Sequence, residues 1–390
     1  VHANDALVAA SGAGMSRQAS TVFVNTAALL AGFIRSLDSH EVIALDTEFM
    51  RERTYFPSLC LLQVAAGDSI WCIDPLAFDD LTPLFRALDN PARVKIIHAA
   101  RQDLEIFFIA TGRVPAPLFD TQIAAALLGR SDQIAYAALV SEFYALELDK
   151  SSSRTNWAQR PLSDRQLKYA ADDVRYLEGV KRRLEDEIHH KGRSSWLEEE
   201  CARLGNLGLY EHDPLLAWRK VKGIAKLESA QLRIVGALAA WREICARSRN
   251  LPRGWVVKDD HLIALACAAP RSKSELRAIA GLTPSLIRRH GEELLTAINA
   301  PETNCVQVDE LGSRRLTVVG KNLVQDVLRA LRQCAQDNEI AAALISTRRD
   351  IEMAICGRTD LRLYQGWRDG LFGEFVRQHI AVHSHVALYE

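Results

Sequence analysis

Asp46 and Glu48 stand one residue apart at the end of the apolar run Val42-Ile43-Ala44-Leu45, and that arrangement poses a charge problem. A short continuous apolar run reads as a buried central strand. Residues i and i+2 of a strand share a face, so the two carboxylates project together. Like charges that close are costly without a compensating cation, and divalent metal ions are the usual compensation. The alternative is a pair of solvated carboxylates at a fraying strand end. Asp103 falls in the first turn of a helix that follows the buried run Val94–His98. There it is either a helix cap worth about 1 kcal/mol or another ligand. Tyr169 and Asp173 are i and i+4 of a helix and share one face, with Ala170-Ala171 between them leaving room for close backbone packing. A phenol and a carboxylate on an inward face need partners, because both cost free energy when buried unsatisfied. Four carboxylates with no Cys or His cluster suit hard cations such as Mg²⁺ or Mn²⁺.

The elements that must position these groups follow from the pattern along the chain. Thr21–Val24 predicts a short strand, and Asn25 or Thr26 caps a helix to about Leu37. Leu59–Ala65 and Ser69–Ile73 flank Gly67-Asp68, a hairpin signal. A helix near Leu81–Leu88 and the strand Val94–His98 come next. Helical patterns follow at Asp103–Ala110, Thr121–Leu128 and Tyr136–Tyr144, with one long helix from Ser163 to about His189. Together they predict an α/β domain over residues 20–211, a mixed sheet flanked by helices. After Tyr210 the strand signals stop. Leu215–Val221, Ser229–Arg247, Asp259–Ala268, Ser272–Ile279 and Pro284–Ala300 read as a small all-α bundle, residues 212–298. A polar linker, 299–313, separates it from a second helical unit at 314–390, built from Thr317–Asp337, Ile340–Ser346, Arg348–Ile355 and Gly366–Ile380. Two similar-sized helical units in succession hint at a divergent duplication.

A chain of 390 residues is too long for one ordinary core. The net charge of -1 conceals an asymmetry. Residues 20–211 carry 21 basic against 28 acidic side chains, and residues 212–298 carry 15 against 8. An acidic segment followed by a basic one fits a metal-loaded site beside a polyanion-binding module, or two ordinary solvated surfaces. The eight cysteines are scattered without a CxxC pair, which suggests reduced thiols in a cytoplasmic protein. No apolar run approaches the roughly 20 residues that span a bilayer, so no membrane association is expected. Residues 1–19 are small and polar and read as disordered, with Met15 a candidate translation start.

Asp46-Thr47-Glu48, Asp103 and Tyr169-x-x-x-Asp173, in this order, resemble the three motifs of the DEDD superfamily of 3′→5′ exonucleases, in its tyrosine-bearing branch. Within it the chain is most similar to the ribonuclease D family. Shared segments include Arg53-Thr54-Tyr55-Phe56-Pro57, Ile73-Asp74-Pro75-Leu76, Asp120-Thr121-Gln122, Asp149-Lys150-Ser151, Arg154-Thr155-x-Trp157 and Arg160-Pro161-Leu162. The resemblance runs from about Val22 to Leu204 and implies a ribonuclease-H-like sheet with the four acids at one edge. It also implies two divalent ions. Asp46 would bridge both, Glu48 and Asp173 would hold the ion beside the nucleophile, and Asp103 would hold the other, largely through water. Tyr169 would orient the attacking water, since a phenol with a reference pKa of about 10 is a poor general base. Residues 212–298, opening with Trp218-Arg219-Lys220-Val221-Lys222-Gly223, look like an HRDC domain. Residues 314–390 resemble a second one, best at Gly366-Trp367-Arg368.

The family reading implies an exoribonuclease that releases nucleoside 5′-monophosphates from the 3′ end, with tRNA precursors the characteristic substrate and no obligate protein partner. Candidate RNA contacts are Lys150 and Arg154 for phosphates and Trp157 for base stacking. The basic unit adds Lys220, Lys222, Lys226, Arg247, Arg249 and Arg253. For each, a solvated surface or, for Trp157, a core position is the alternative. His98 is read as finishing a strand rather than binding metal, and His383 and His385 as exposed tail residues. Two other functions remain open: a DNA 3′→5′ exonuclease, and a non-catalytic nucleic-acid-binding protein.

Overall fold

The structure, a computed structural model, describes residues 20–149, 151–299, 316–383 and 385–389. Residues 1–19, most of the expected linker and Lys150 lie outside the described residues. Six strands, β1 Ser20–Val24, β2 Val42–Met50, β3 Ser58–Ala66, β4 Ser69–Ile73, β5 Val94–Ile97 and β6 Leu118–Asp120, form one mixed sheet in the order β1-β4-β3-β2-β5-β6. β2 is central, antiparallel to β3 and parallel to β5. Flanked on both edges and covered on both faces, it can be apolar throughout its first half. The β3–β4 hairpin turns at Gly67, whose φ of 54° needs a residue without a Cβ. β6 was not expected, because its three residues end in Asp120 and read as the approach to a helix cap.

Alternation along the strands divides the core. Ile43, Leu45, Leu62 and Val64 pack beneath α1 (Ala27–Ser36), α2 (Thr82–Leu88) and α3 (Arg101–Thr111). Ala44, Leu61 and Ile96 pack on the other face. They meet α4 (Thr121–Leu127), α5 (Tyr136–Tyr144), α6 (Asp164–Arg175), α7 (Leu177–His190) and α8 (Ser194–Leu204). The single helix expected from Ser163 to His189 is therefore two. The Tyr136 hydroxyl donates to the Asp172 carbonyl at 3.2 Å and accepts from the Tyr176 N–H at 3.0 Å. A phenol thus stands inside the i→i−4 ladder, which breaks the helix at Tyr176. The cause lies 40 residues away in sequence, so local periodicity gives no sign of it.

The basic bundle comprises α9 (Ser229–Ser248), α10 (Arg253–Val256), α11 (Asp259–Ala268), α12 (Lys273–Ala278) and α13 (Pro284–Asn299) around its own apolar core. Leu215–Val221 is a 3₁₀ turn, Pro214–Lys220, rather than an α-helix; Asp213 caps it and Pro214 opens it. The bundle is tied to the loop after β2. The Phe56 N–H donates to Asn250 Oδ1 at 3.0 Å. Tyr55 donates its hydroxyl to buried Glu243, and the Arg253 guanidinium lies 4.9 Å from the Tyr55 ring centre.

The last unit contains helices Val318–Asp337, Ala342–Ile345, Arg348–Ile355 and Glu374–Val382. The helix expected over Gly366–Ile380 runs without a break from Trp367 to Val382, but it carries a π-helical segment, Asp369–Gly373, where Gly370 and Gly373 weaken the regular turn. This unit shares the apolar core of the α4–α8 face. Trp367 stacks on Trp196 at 4.7 Å and 11°. Glu200 of α8, 2% exposed, accepts from the Trp367 indole at 3.1 Å and pairs with Arg368 and Arg362.

Candidate active site

β2 delivers two acids to the sheet's α6 face. Asp46 stands opposite Gln63 of β3, and between Glu48 and Phe49 the partner jumps from Leu61 to Leu59. That bulge increases local twist and re-aims the end of the strand. α6 meets it from above. Its N-terminus is fixed by a reciprocal capping box between Ser163 and Gln166, and Gln166 also donates to Thr155 Oγ1 at 3.2 Å. On its inner face Tyr169 stands by Asp173, close enough for the phenol to lower the Asp173 pKa. One oxygen each from Asp46, Glu48 and Asp173 lie within 4.8 Å of one another.

Asp103 arrives from the opposite face. Strand alternation turns Thr47 away from Asp46 and Glu48, and the Thr47 hydroxyl donates to Asp103 Oδ1 at 2.5 Å. Asp103 therefore stands outside the group of three, yet close enough that its charge raises the pKa of Asp46. The turn before α3 places Ala99 at φ 58°, a conformation that costs an alanine about 1–3 kcal/mol. Asp120 supports it by accepting from the Ala99 N–H at 3.1 Å and the Ala100 N–H at 2.8 Å while also capping α4.

Burial and mutual repulsion set the electrostatics. Asp46 is pushed well above the usual carboxylate range by desolvation, then by Asp103, Asp173 and Glu48. Desolvation and the charges of Asp173 and Asp103 push Glu48 up to about 9. Desolvation raises Asp103 to about 7 against the Thr47 hydrogen bond, and raises Asp173 to about 7 against the opposing effect of the nearby Tyr169 hydroxyl. Tyr169 is raised by desolvation and then by Asp173, Glu48 and Asp46, so the phenol is protonated at neutral pH. An all-oxygen, mutually repelling donor set fits hard divalent cations, whose charge would reverse every one of these shifts.

A pH and metal dependence follows. A carboxyl whose folded pKa lies above its unfolded value of about 4 stabilises the fold fully below that value. The contribution is lost as pH rises through the folded pKa. In chelator the melting temperature should therefore fall as pH rises above about 4, the slope easing beyond about 7 (Asp103, Asp173) and again beyond about 9 (Glu48). At pH 8, Mg²⁺ or Mn²⁺ at 100 times its dissociation constant should restore about 2.7 kcal/mol. Calorimetry with and without cation checks this; a pH-independent melt unaffected by cation would contradict it.

Trp157 is corrected by the structure. At 2% exposure it lies in the core with its ring 6.0 Å from that of Tyr169 at 38°, so it supports the phenol and is not free to stack on a base. Arg253 is corrected too: it is paired with Glu243 and donates to the Tyr55 hydroxyl at 3.3 Å, so its charge is spent within the protein. Arg154, Lys220, Lys222 and Lys226 are exposed. Arg247 and Arg249 are exposed, and donate to the His212 carbonyl at 3.1 Å and to His290 Nε2 at 3.0 Å. His98 contacts Thr121 Oγ1 and the Ile134 carbonyl, each at 2.9 Å, through its two ring nitrogens, which leaves neither for a metal.

Sequence reasoning missed Thr47, Tyr136 and Arg160 as positioning groups. Arg160 donates to Asp74 at 2.7 and 2.6 Å, to the Cys60 carbonyl at 2.6 Å and to the Trp157 carbonyl at 2.7 Å. It thereby clamps the loop before α6 onto β3 and β4. The Arg160-Pro161-Leu162 segment was a visible signal, although nothing in it names Asp74 as the partner.

Residues 21–189 match the family model described as 3′-5′ exonuclease, and residues 231–298 match the HRDC domain model. The chain is 40% identical to ribonuclease D of Zymomonas mobilis, over 90% of this chain and 92% of that one. It is also 40% identical to ribonuclease D of Sphingobium indicum, over 88% and 90%. Among solved structures, Escherichia coli RNase D, described as an exoribonuclease involved in structured RNA processing, superposes with a TM-score of 0.82. The two are 32% identical, over 93% of this chain and 99% of that one.

Proposed function

The chain belongs to the ribonuclease D family of 3′–5′ exoribonucleases, and from that premise we propose that it trims structured RNA 3′ ends, tRNA precursors among them, to nucleoside 5′-monophosphates. The convergence of Asp46, Glu48 and Asp173 with Tyr169 carries this reading. It supports placing the chain in the tyrosine-bearing branch and favours a catalytic over a non-catalytic reading, since Asp46, Glu48, Asp103, Tyr169 and Asp173 are all present.

Asp46, Glu48 and Asp173 would hold divalent cations, two in number and Mg²⁺ or Mn²⁺ in kind, and Asp103, steadied by Thr47, would complete the set. Such cations, when bound, offset the charge of the phosphodiester, acidify water and stabilise the departing sugar oxygen. Tyr169 keeps its proton and stands beside Asp173, so it positions the attacking water instead of deprotonating it. Tyr169→Phe should accordingly lower kcat about 100-fold with little change in the cation concentration needed for half-maximal rate. A large shift in that concentration would instead make Tyr169 part of the metal site.

We assign residues 20–211 to the exonuclease, 212–298 to an HRDC unit and 314–390 to a second HRDC-like unit. Helix spacing supports the second unit. In the first, a 20-residue helix, a four-residue turn, a four-residue helix, a two-residue turn and a third helix run from Ser229; the same series runs from Val318. The turns match in detail. Asn250 and Glu339 both have φ 48°, and the Leu251 and Ile340 N–H groups donate to the Ala246 and Ala335 carbonyls, each at 2.9 Å. Both turns face the exonuclease, one at Phe56 and the other where the Ala341 N–H donates to the Ala126 carbonyl at 2.9 Å. Lys220, Lys222, Lys226, Arg247, Arg249 and Arg154 would contribute phosphate contacts, each steepening the salt dependence of binding. No helix among the described residues is long and apolar enough to cross a membrane. Cys60, Cys72, Cys201, Cys245, Cys267 and Cys334 are free thiols, which fits a cytoplasmic enzyme.

A further inference from the structure

Trp255 is 63% exposed, on a four-residue helix whose neighbouring Val256 and Val257 are buried. It borders a cleft of ≈ 230 Å³ between α10, the start of α11 and the start of α13. Arg249, Lys258 and Arg289 line the same cleft, with His261 and His290, and no Asp or Glu is among the described lining residues. Glu293 holds His290 Nδ1 at 2.8 Å but does not line the cleft. The floor depends on Gly281, at φ 87°, where a Cβ would stand 2.6 Å from His261 Nε2. The matching position of the second helical unit, Leu344, is only partly exposed, and its carbonyl accepts from buried Arg368 at 2.8 Å. The scaffold can therefore cover this position, and in the first unit it leaves an aromatic face open among cations.

We propose that this cleft binds an unpaired nucleotide of the RNA strand upstream of the 3′ end, its base stacked on Trp255 and its phosphates met by Arg249, Lys258 and Arg289. Cations beside an aromatic face, with no acid lining the cleft, match a polyanion whose every unit carries a ring. α10 carries both this platform and Arg253, which joins Tyr55 in the loop directly after β2. The helix that borders the cleft therefore also contacts the segment that leaves the catalytic strand. The proposal deepens the exoribonuclease reading and rests on it.

The test compares a 20-nucleotide unstructured RNA with its four 3′-terminal nucleotides, bound to the full chain in chelator and followed by fluorescence anisotropy. Trp255→Ala should raise the Kd of the long RNA by about fivefold to 150-fold and remove most of its advantage over the tetranucleotide. Trp255→Phe should restore most of it. Arg289→Ala should reduce the slope of log Kd against log salt by about 0.7. Melting curves of the variants should overlay the parent, since both side chains are exposed. Long-RNA binding that survives Trp255→Ala with an unaltered salt slope would overturn the proposal and leave the cleft to some other partner. Failure of the parent to hydrolyse the tetranucleotide with Mg²⁺ is a separate result, directed at the catalytic reading alone.

Discussion

Asp46→Asn is expected to lower turnover by about three orders of magnitude or more, to leave RNA affinity within a few-fold, and to raise the melting temperature of the metal-free protein above pH 7. The first outcome follows from position. Asp46 interacts with Asp103, Asp173 and Glu48 and offers one of the three clustered carboxylate oxygens, so an amide there removes a charged donor from the middle of the set. The second follows because the basic surface lies on other elements. The third has a definite sign. A carboxylate held far above its ordinary pKa destabilises the fold at neutral pH, and replacing it with a neutral isostere relieves both desolvation and repulsion. Single-turnover kinetics, filter binding in chelator and calorimetry read the three effects. A variant that unfolds and loses RNA together would mean that Asp46 is structural.

Glu200→Ala should produce the largest loss of stability of any single change considered. Glu200 accepts from Trp367 and neutralises Arg368 and Arg362 where Arg368 is fully buried. Removing one member of a buried ion pair leaves the other uncompensated, a loss of about 3–5 kcal/mol. The change should release the C-terminal unit from α8, exposing the stacked Trp196 and Trp367 to quencher and the chain near residue 340 to protease. Arg368→Met, which removes a buried charge without leaving a cavity, should cost less. Equal proteolysis of Glu200→Ala and parent would show that the apolar contacts alone hold this unit.

What was legible in the sequence was what local pattern dictates. The apolar run ending in Asp46-x-Glu48, the Gly67-Asp68 turn, the Tyr169-x-x-x-Asp173 face and the start of α11 at Asp259 all stand where periodicity and turn chemistry put them. What was illegible depends on partners remote in sequence. The helix break at Tyr176 comes from Tyr136, the setting of Asp103 from Thr47 and Asp120, and the burial of Trp157 accompanies the Arg160–Asp74 clamp. Arg253 shows the same limit. As one more cation in a basic segment it reads as a phosphate ligand, and only the fold reveals Glu243 and Tyr55 around it. The four acids could be identified in order, but their division into three on one face and one on the other is a property of the sheet.

The central claim is that this carboxylate cluster, loaded with divalent cations, cuts RNA from its 3′ end. Its most direct test supplies a 5′-labelled RNA with a 3′ single-stranded tail, and matched DNA, to the protein in Mg²⁺, in Mn²⁺ and in chelator, with product identity read by mass. Stepwise shortening from the 3′ end is expected, with nucleoside 5′-monophosphates released, faster on RNA than DNA, and none in chelator or with Asp46→Asn. Shortening that persists in chelator, or internal cleavage with 3′-phosphate products, would contradict it.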